Sequence, residues 1–74
     1  MQDIAQQTKQ QMLRVLAEND IWHKLLDKDG DLIIRHSPSA TSFIHGDGRI
    51  TTQVQGQQTL EFDSFSMWLY WLDN

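Results

Sequence analysis

The chain contains no cysteine. That excludes a disulfide framework, a thiolate nucleophile and any zinc or iron–sulfur site built on cysteine. Without such staples, 74 residues must hold together by packing. Lysine and arginine are also scarce, 6 against 10 aspartates and glutamates, for a net charge of −4. That is the wrong sign for a protein that grips nucleic acid through its phosphates. There is one proline, and the four glycines are scattered, so no stretch reads as a linker or a phosphate-cradling loop. No apolar run approaches the roughly eighteen residues that a membrane span needs. The opening Met1-Gln2-Asp3-Ile4-Ala5-Gln6-Gln7 lacks the basic and apolar regions of a secretory leader. These absences point to a soluble protein of a reducing cytoplasm.

What is present reads as one small domain over residues 1–74. Hydrophobic residues make up 39% and charged residues 22%, a globular rather than disordered balance. A chain this short buries only about 60% of its unfolded surface, so its core is one layer deep.

The first half is helical. Asp3 is a capping residue, and neither Gly nor Pro occurs from there to Glu18. Ile4, Ala5, Thr8, Met12, Val15 and Leu16 share one face, with Gln7, Gln10, Arg14 and Glu18 mostly opposite. Asn19-Asp20 interrupts this stripe, because both side chains compete for backbone hydrogen bonds. Trp22 and Leu26 continue it, which predicts a kink near Asn19-Asp20 and a second helical piece over 21–26. A strand over 20–26 is the other reading of that segment.

From Asp31 onward the pattern changes to strands. Leu32–His36, Thr41–His45, Arg49–Val54 and Thr59–Phe62 are separated by Ser37-Pro38-Ser39, Gly46-Asp47-Gly48 and Gln55-Gly56-Gln57. The Gly46–Gly48 turn sets Ile44 opposite Ile50 and Phe43 opposite Thr51. The next turn sets Thr52 near Leu60 and Ile50 near Phe62. A link at Ser37–Ala40 sets Ile34 opposite Phe43 and Ile33 near Ile44. One face then carries Ile33, Ile44, Ile50, Val54, Leu60 and Phe62. The other carries Leu32, Ile34, Phe43, His45, Thr51, Gln53, Thr59 and Glu61. One apolar and one mainly polar face imply an α+β fold, with helices on one side of a four-stranded antiparallel meander. Asp63 or Ser64 caps a short last helix, Phe65–Leu72.

Asp27-Lys28-Asp29-Gly30-Asp31 opens like an EF-hand calcium loop, but that loop needs Gly at its sixth position and Glu at its twelfth, where Leu32 and Pro38 stand. It reads as an acidic turn. The meander brings it to the same end of the sheet as His45 and Asp47. Asp27, Asp29, Asp31 and Asp47 there form a negative patch for a basic partner or a weak divalent-cation site, or are solvated turn residues held apart. His23, His36 and His45 fit no zinc spacing. Ser37, Ser39, Ser42, Ser64 and Ser66 include no nucleophile elbow. The sequence thus offers no catalytic residue, no cofactor and no metal ligand set.

The C-terminal run is the unusual part. Phe65, Trp68, Leu69 and Leu72 fall on one helical face and read as core. Met67, Tyr70 and Trp71 fall off it. Either the N-terminal helix covers them or they bind something. The reading that follows is a non-enzymatic, acidic protein-binding module. It would be an inhibitor, adaptor or regulator of the kind a phage or mobile element carries, occluding a partner surface. Its candidate residues are Asp27, Asp29, Asp31, Asp47, Phe43, Met67, Tyr70 and Trp71. The expected partner is a basic protein, or a second copy docking through the C-terminal helix, and no membrane is involved. The alternatives are a nucleic-acid-associated module, using Lys9, Arg14, Lys24, Lys28 and Phe43, and a small metal-dependent enzyme.

Overall fold

The computed structural model describes residues 3–26 and 32–73. Helix α1 spans Ile4–Glu18. Asp3 caps it, accepting a hydrogen bond from the Gln6 backbone N–H at 3.3 Å. Ala5, Thr8, Met12 and Leu16 form its buried stripe.

The helix ends at Glu18 and does not kink. Asp20 takes a left-handed conformation, φ 56°. The Asp20 N–H then reaches the Ala17 carbonyl at 3.2 Å, and the Ile21 N–H reaches the Leu16 carbonyl at 2.9 Å. This is a Schellman stop, with Ile21 packed on the core as its apolar seal. The expected second helix over 21–26 is therefore absent. In its place Lys24–Leu25 forms a short strand, β1. The left-handed residue turns the chain off the helix axis, and the Leu26 N–H donates to Ile33 O at 2.9 Å, extending the ladder.

The remaining elements are β2 (Leu32–Ser37), β3 (Ala40–Ile44), β4 (Ile50–Val54), β5 (Leu60–Phe62) and α2 (Phe65–Asp73). Among the described residues the sheet is an antiparallel meander of five strands in sequence order. It gains one strand over the expectation because of β1. The later hairpins pair as read, with Ile44 opposite Ile50, Phe43 opposite Thr51, Ile50 opposite Phe62 and Thr52 opposite Leu60. Gly48, at φ 93°, closes the β3–β4 turn, and a Cβ there would lie 2.9 Å from Ile4 Cγ2.

The first hairpin departs from the expected register. Ser37 does pair with Ala40, but a bulge between Arg35 and Ser37 moves the alignment by one. Ile34 then pairs with Ser42, Ile33 with Phe43 and Leu32 with Ile44. The extra residue is His36. Its insertion exchanges the faces of this strand: Ile34 and Leu32 pack inward and Ile33 lies outward beside Phe43. Both helices sit on the inner face, where Ile34, Ile44, Ile50 and Phe62 meet Ala5, Met12, Leu16 and Trp68.

Candidate functional site

Helix α2 positions the most distinctive surface. The Trp68 N–H donates to the Ser64 carbonyl, which starts the helix. The Trp68 side chain is fully buried and anchors α2 to the sheet. Phe65 packs against it at 6.0 Å between ring centroids. One position off the core stripe, Trp71 is half-buried between Phe62, at 5.6 Å, and His36, at 6.1 Å. Met67 and Tyr70 turn further away and remain 49% and 74% exposed. With Phe62, Ser66 and Trp71 they line an open groove of about 480 Å³, almost wholly apolar. Helix α1 touches α2 but leaves this face uncovered. Of the two readings of the run, covered core or open surface, Met67 and Tyr70 follow the second, and Trp71 is divided between them.

The other sequence-derived site residues lie elsewhere. Asp47 is bound within its own turn: Oδ1 accepts the Arg49 backbone N–H at 3.1 Å, and Oδ2 meets Arg49 Nε at 2.8 Å. That backbone hydrogen bond, with the Arg49 charge, holds the Asp47 carboxyl below its ordinary pKa against a smaller opposing effect of desolvation. Phe43 is half-buried on the outer sheet face, across the sheet from α2. Asp27, Asp29 and Asp31 lie outside the described residues, as does Lys28. The structure thus brings Met67, Tyr70 and Trp71 together and separates them from Asp47 and Phe43.

Beneath the groove is a polar cluster that the sequence reading missed. Ser42 Oγ accepts from Trp68 Nε1–H at 3.2 Å and lies 2.8 Å from both His36 Nε2 and Thr52 Oγ1. Ser42, Thr52 and Trp68 are fully buried and His36 nearly so. Desolvation lowers the His36 pKa, favouring the neutral ring. A serine within hydrogen-bond reach of a histidine has the geometry of a nucleophile and its base. Here, however, the hydroxyl is sealed from solvent and three partners fill its one donor and two acceptor positions. The arrangement ties β2, β3, β4 and α2 together. One signal for it was available: Ser42 and Thr52 share strand parity with Ile44 and Ile50.

His23 Nδ1 lies 2.9 Å from the Ile21 carbonyl, and His45 Nε2 lies 2.6 Å from Thr51 Oγ1. Among the described residues, no three His, Asp or Glu side chains gather closely enough to hold a metal. No described helix is long and apolar enough to cross a membrane. No family model, curated protein or solved structure matches the chain. The functional reading therefore rests on the geometry of this molecule.

Proposed function

We propose that this chain is a small acidic protein-binding module that works in the cytoplasm by occluding a surface of a partner protein. The observation that carries this reading is the uncovered apolar face of α2. Folding buries Trp68 but leaves Met67, Tyr70, half of Trp71 and the rim of Phe62 around a groove. A small domain gains stability by burying large apolar groups, so a cluster left open marks a surface with another use. Met, Tyr and Trp are also types enriched in protein interfaces. A large side chain from the partner seats between Met67 and Trp71, and Tyr70 closes over it. The buried Trp68 and the Ser42 hub below hold the groove floor rigid, which limits the entropy lost on docking. Occlusion of this kind makes the module an inhibitor, adaptor or regulator.

The test is a pull-down from the source cell with wild type and with Met67→Asp and Tyr70→Asp. Each variant is first checked for a native circular dichroism spectrum. A protein retained by wild type and lost with both variants supports the groove. Retention unchanged by either substitution refutes it.

A second reading has one observation in its favour. The outer sheet face carries Phe43, and on the same face Lys24 pairs with Arg35. An aromatic near two cations is a minimal platform for single-stranded nucleic acid. Lys9 and Arg14, on α1, belong to the opposite layer and add nothing to it. Affinity for an oligonucleotide that falls steeply with salt and vanishes in Phe43→Ala would establish that platform.

A further inference from the structure

Resting on the groove as a protein-binding surface, we propose that its occupant is an amphipathic segment of a different protein, with a large apolar anchor flanked by lysine or arginine. The charges around the groove select it. After Arg49 the chain has no Lys or Arg, yet this stretch carries Glu61, Asp63 and Asp73. All three are exposed. Asp63 follows Phe62, a groove-lining residue, and shares a hollow with Ser66 at the groove's head. Asp73 follows Tyr70 by three positions and continues its stripe to the end of α2. Asp63 and Asp73 thus stand toward the two ends of the apolar surface, while Glu61, opposite Thr51, lies on the outer face of the neighbouring edge strand.

None of them forms an ion pair within the described residues. The single ion pair there joins Arg49 to Asp47. Arg49 shares a hollow with Glu61 and Asp63, but its Nε is turned to Asp47 at 2.8 Å. The groove therefore combines an apolar floor with carboxylates at its two ends. A second copy is a poor occupant, since a two-fold contact through this face would bring Asp63 and Asp73 toward the same two carboxylates, between chains that each carry −4. A nucleic-acid backbone meets the same repulsion. Basic flanks convert that field into steering and complementarity, while the apolar anchor fills the groove.

The experiment uses two fluorescein-labelled peptides of equal length with the same Leu and Trp anchors, one flanked by Lys and one by Glu. Anisotropy titrations of the full chain are run at 50 and 500 mM NaCl, alongside sedimentation of the chain alone. The Lys-flanked peptide is expected to bind at least about tenfold tighter at low salt. The gap should shrink at high salt and in Asp63→Asn/Asp73→Asn, and binding should be lost in both Tyr70→Asp and Met67→Asp. Equal binding of both peptides, abolished by those two groove variants, would retain the groove as a protein site and overturn the basic occupant. So would a wild-type dimer that Tyr70→Asp dissolves. Lys-peptide binding indifferent to the groove variants places it elsewhere and overturns the proposal. If neither peptide binds and the chain is monomeric, both the proposal and the groove reading fall.

Discussion

Replacing Ser42 with alanine deletes one oxygen from the centre of the core and tests the hub directly. Trp68 Nε1–H, His36 Nε2 and Thr52 Oγ1 each lose the one side-chain hydrogen bond they make among the described residues. A buried polar group left unpaired costs about 1–3 kcal/mol. Trp68 pays this in full because its ring is immobilised between α2 and the sheet. Thr52 and His36 recover part by rotation, which sets the expected total at about 3 kcal/mol. A domain of this length has about 4–11 kcal/mol in all, so the loss is a large fraction. In thermal terms it is a fall of roughly 15 °C, at about 4–8 °C per kcal/mol for small domains. Urea unfolding followed by tryptophan fluorescence measures it, with the exposed Ser66→Ala as the neutral control. A double-mutant cycle with Trp68→Phe isolates the indole bond. Once the N–H is gone, removing the hydroxyl should cost about 1 kcal/mol less. A Ser42→Ala variant within about 0.5 kcal/mol of wild type, or an additive cycle, would refute the hub.

Three further outcomes are expected. Asp20→Gly should stabilise the protein by about 1 kcal/mol in thermal melts, because glycine carries no Cβ penalty at φ 56°; an unchanged or lower midpoint contradicts the Schellman stop. Gly48→Ala should destabilise by about 1–3 kcal/mol, since φ is 93° and the new methyl would press on Ile4, whereas Gly46→Ala, with open space around it, should have little effect. Because burial lowers the His36 pKa, the unfolded chain takes up a proton that the folded one resists. Stability is thus complete above the free imidazole value near 6.5 and declines as pH falls through it, levelling off below the folded-state pKa. His36→Gln should remove that decline between pH 7.5 and 5.5, and an identical decline in the variant would assign it to other groups.

The parts of the fold that could be read from the chain are those where pattern and turn agree. Gly46-Asp47-Gly48 pins the β3–β4 alignment, and Ile50, standing between polar Arg49 and Thr51, agrees with it. Leu32-Ile33-Ile34 offers no such check, because all three residues are apolar and either parity buries an isoleucine. The bulge was therefore invisible. Strand β1 is too short for any periodicity, and Asp20 in a left-handed conformation is a stop that composition alone does not announce. On α2, Phe65, Trp68, Leu69 and Leu72 fill the core-facing stripe, so Met67 and Tyr70 were legible as surplus. The hub was not, because serine and threonine on a strand ordinarily read as surface.

The bulge at His36 also bears on how the chain finds its native pairing. Had the alignment set at Ser37 and Ala40 continued unbroken, Ile33 would lie beside Ile44 and the hairpin would still bury an isoleucine. Arg35 would then face Ser42 on the inner side, and His36 would be turned outward. In the native alignment Arg35 lies on the outer face, with Nη2 donating to the Pro38 carbonyl at 2.7 Å. In the slipped one its charge enters an apolar layer with nothing to balance it, at a cost of several kcal/mol. Arg35 therefore acts as a proofreading residue, harmless in the correct hairpin and prohibitive in its nearest competitor. An apolar residue at 35 would leave the native core untouched and open a kinetic trap, with refolding divided between two hairpins one residue apart.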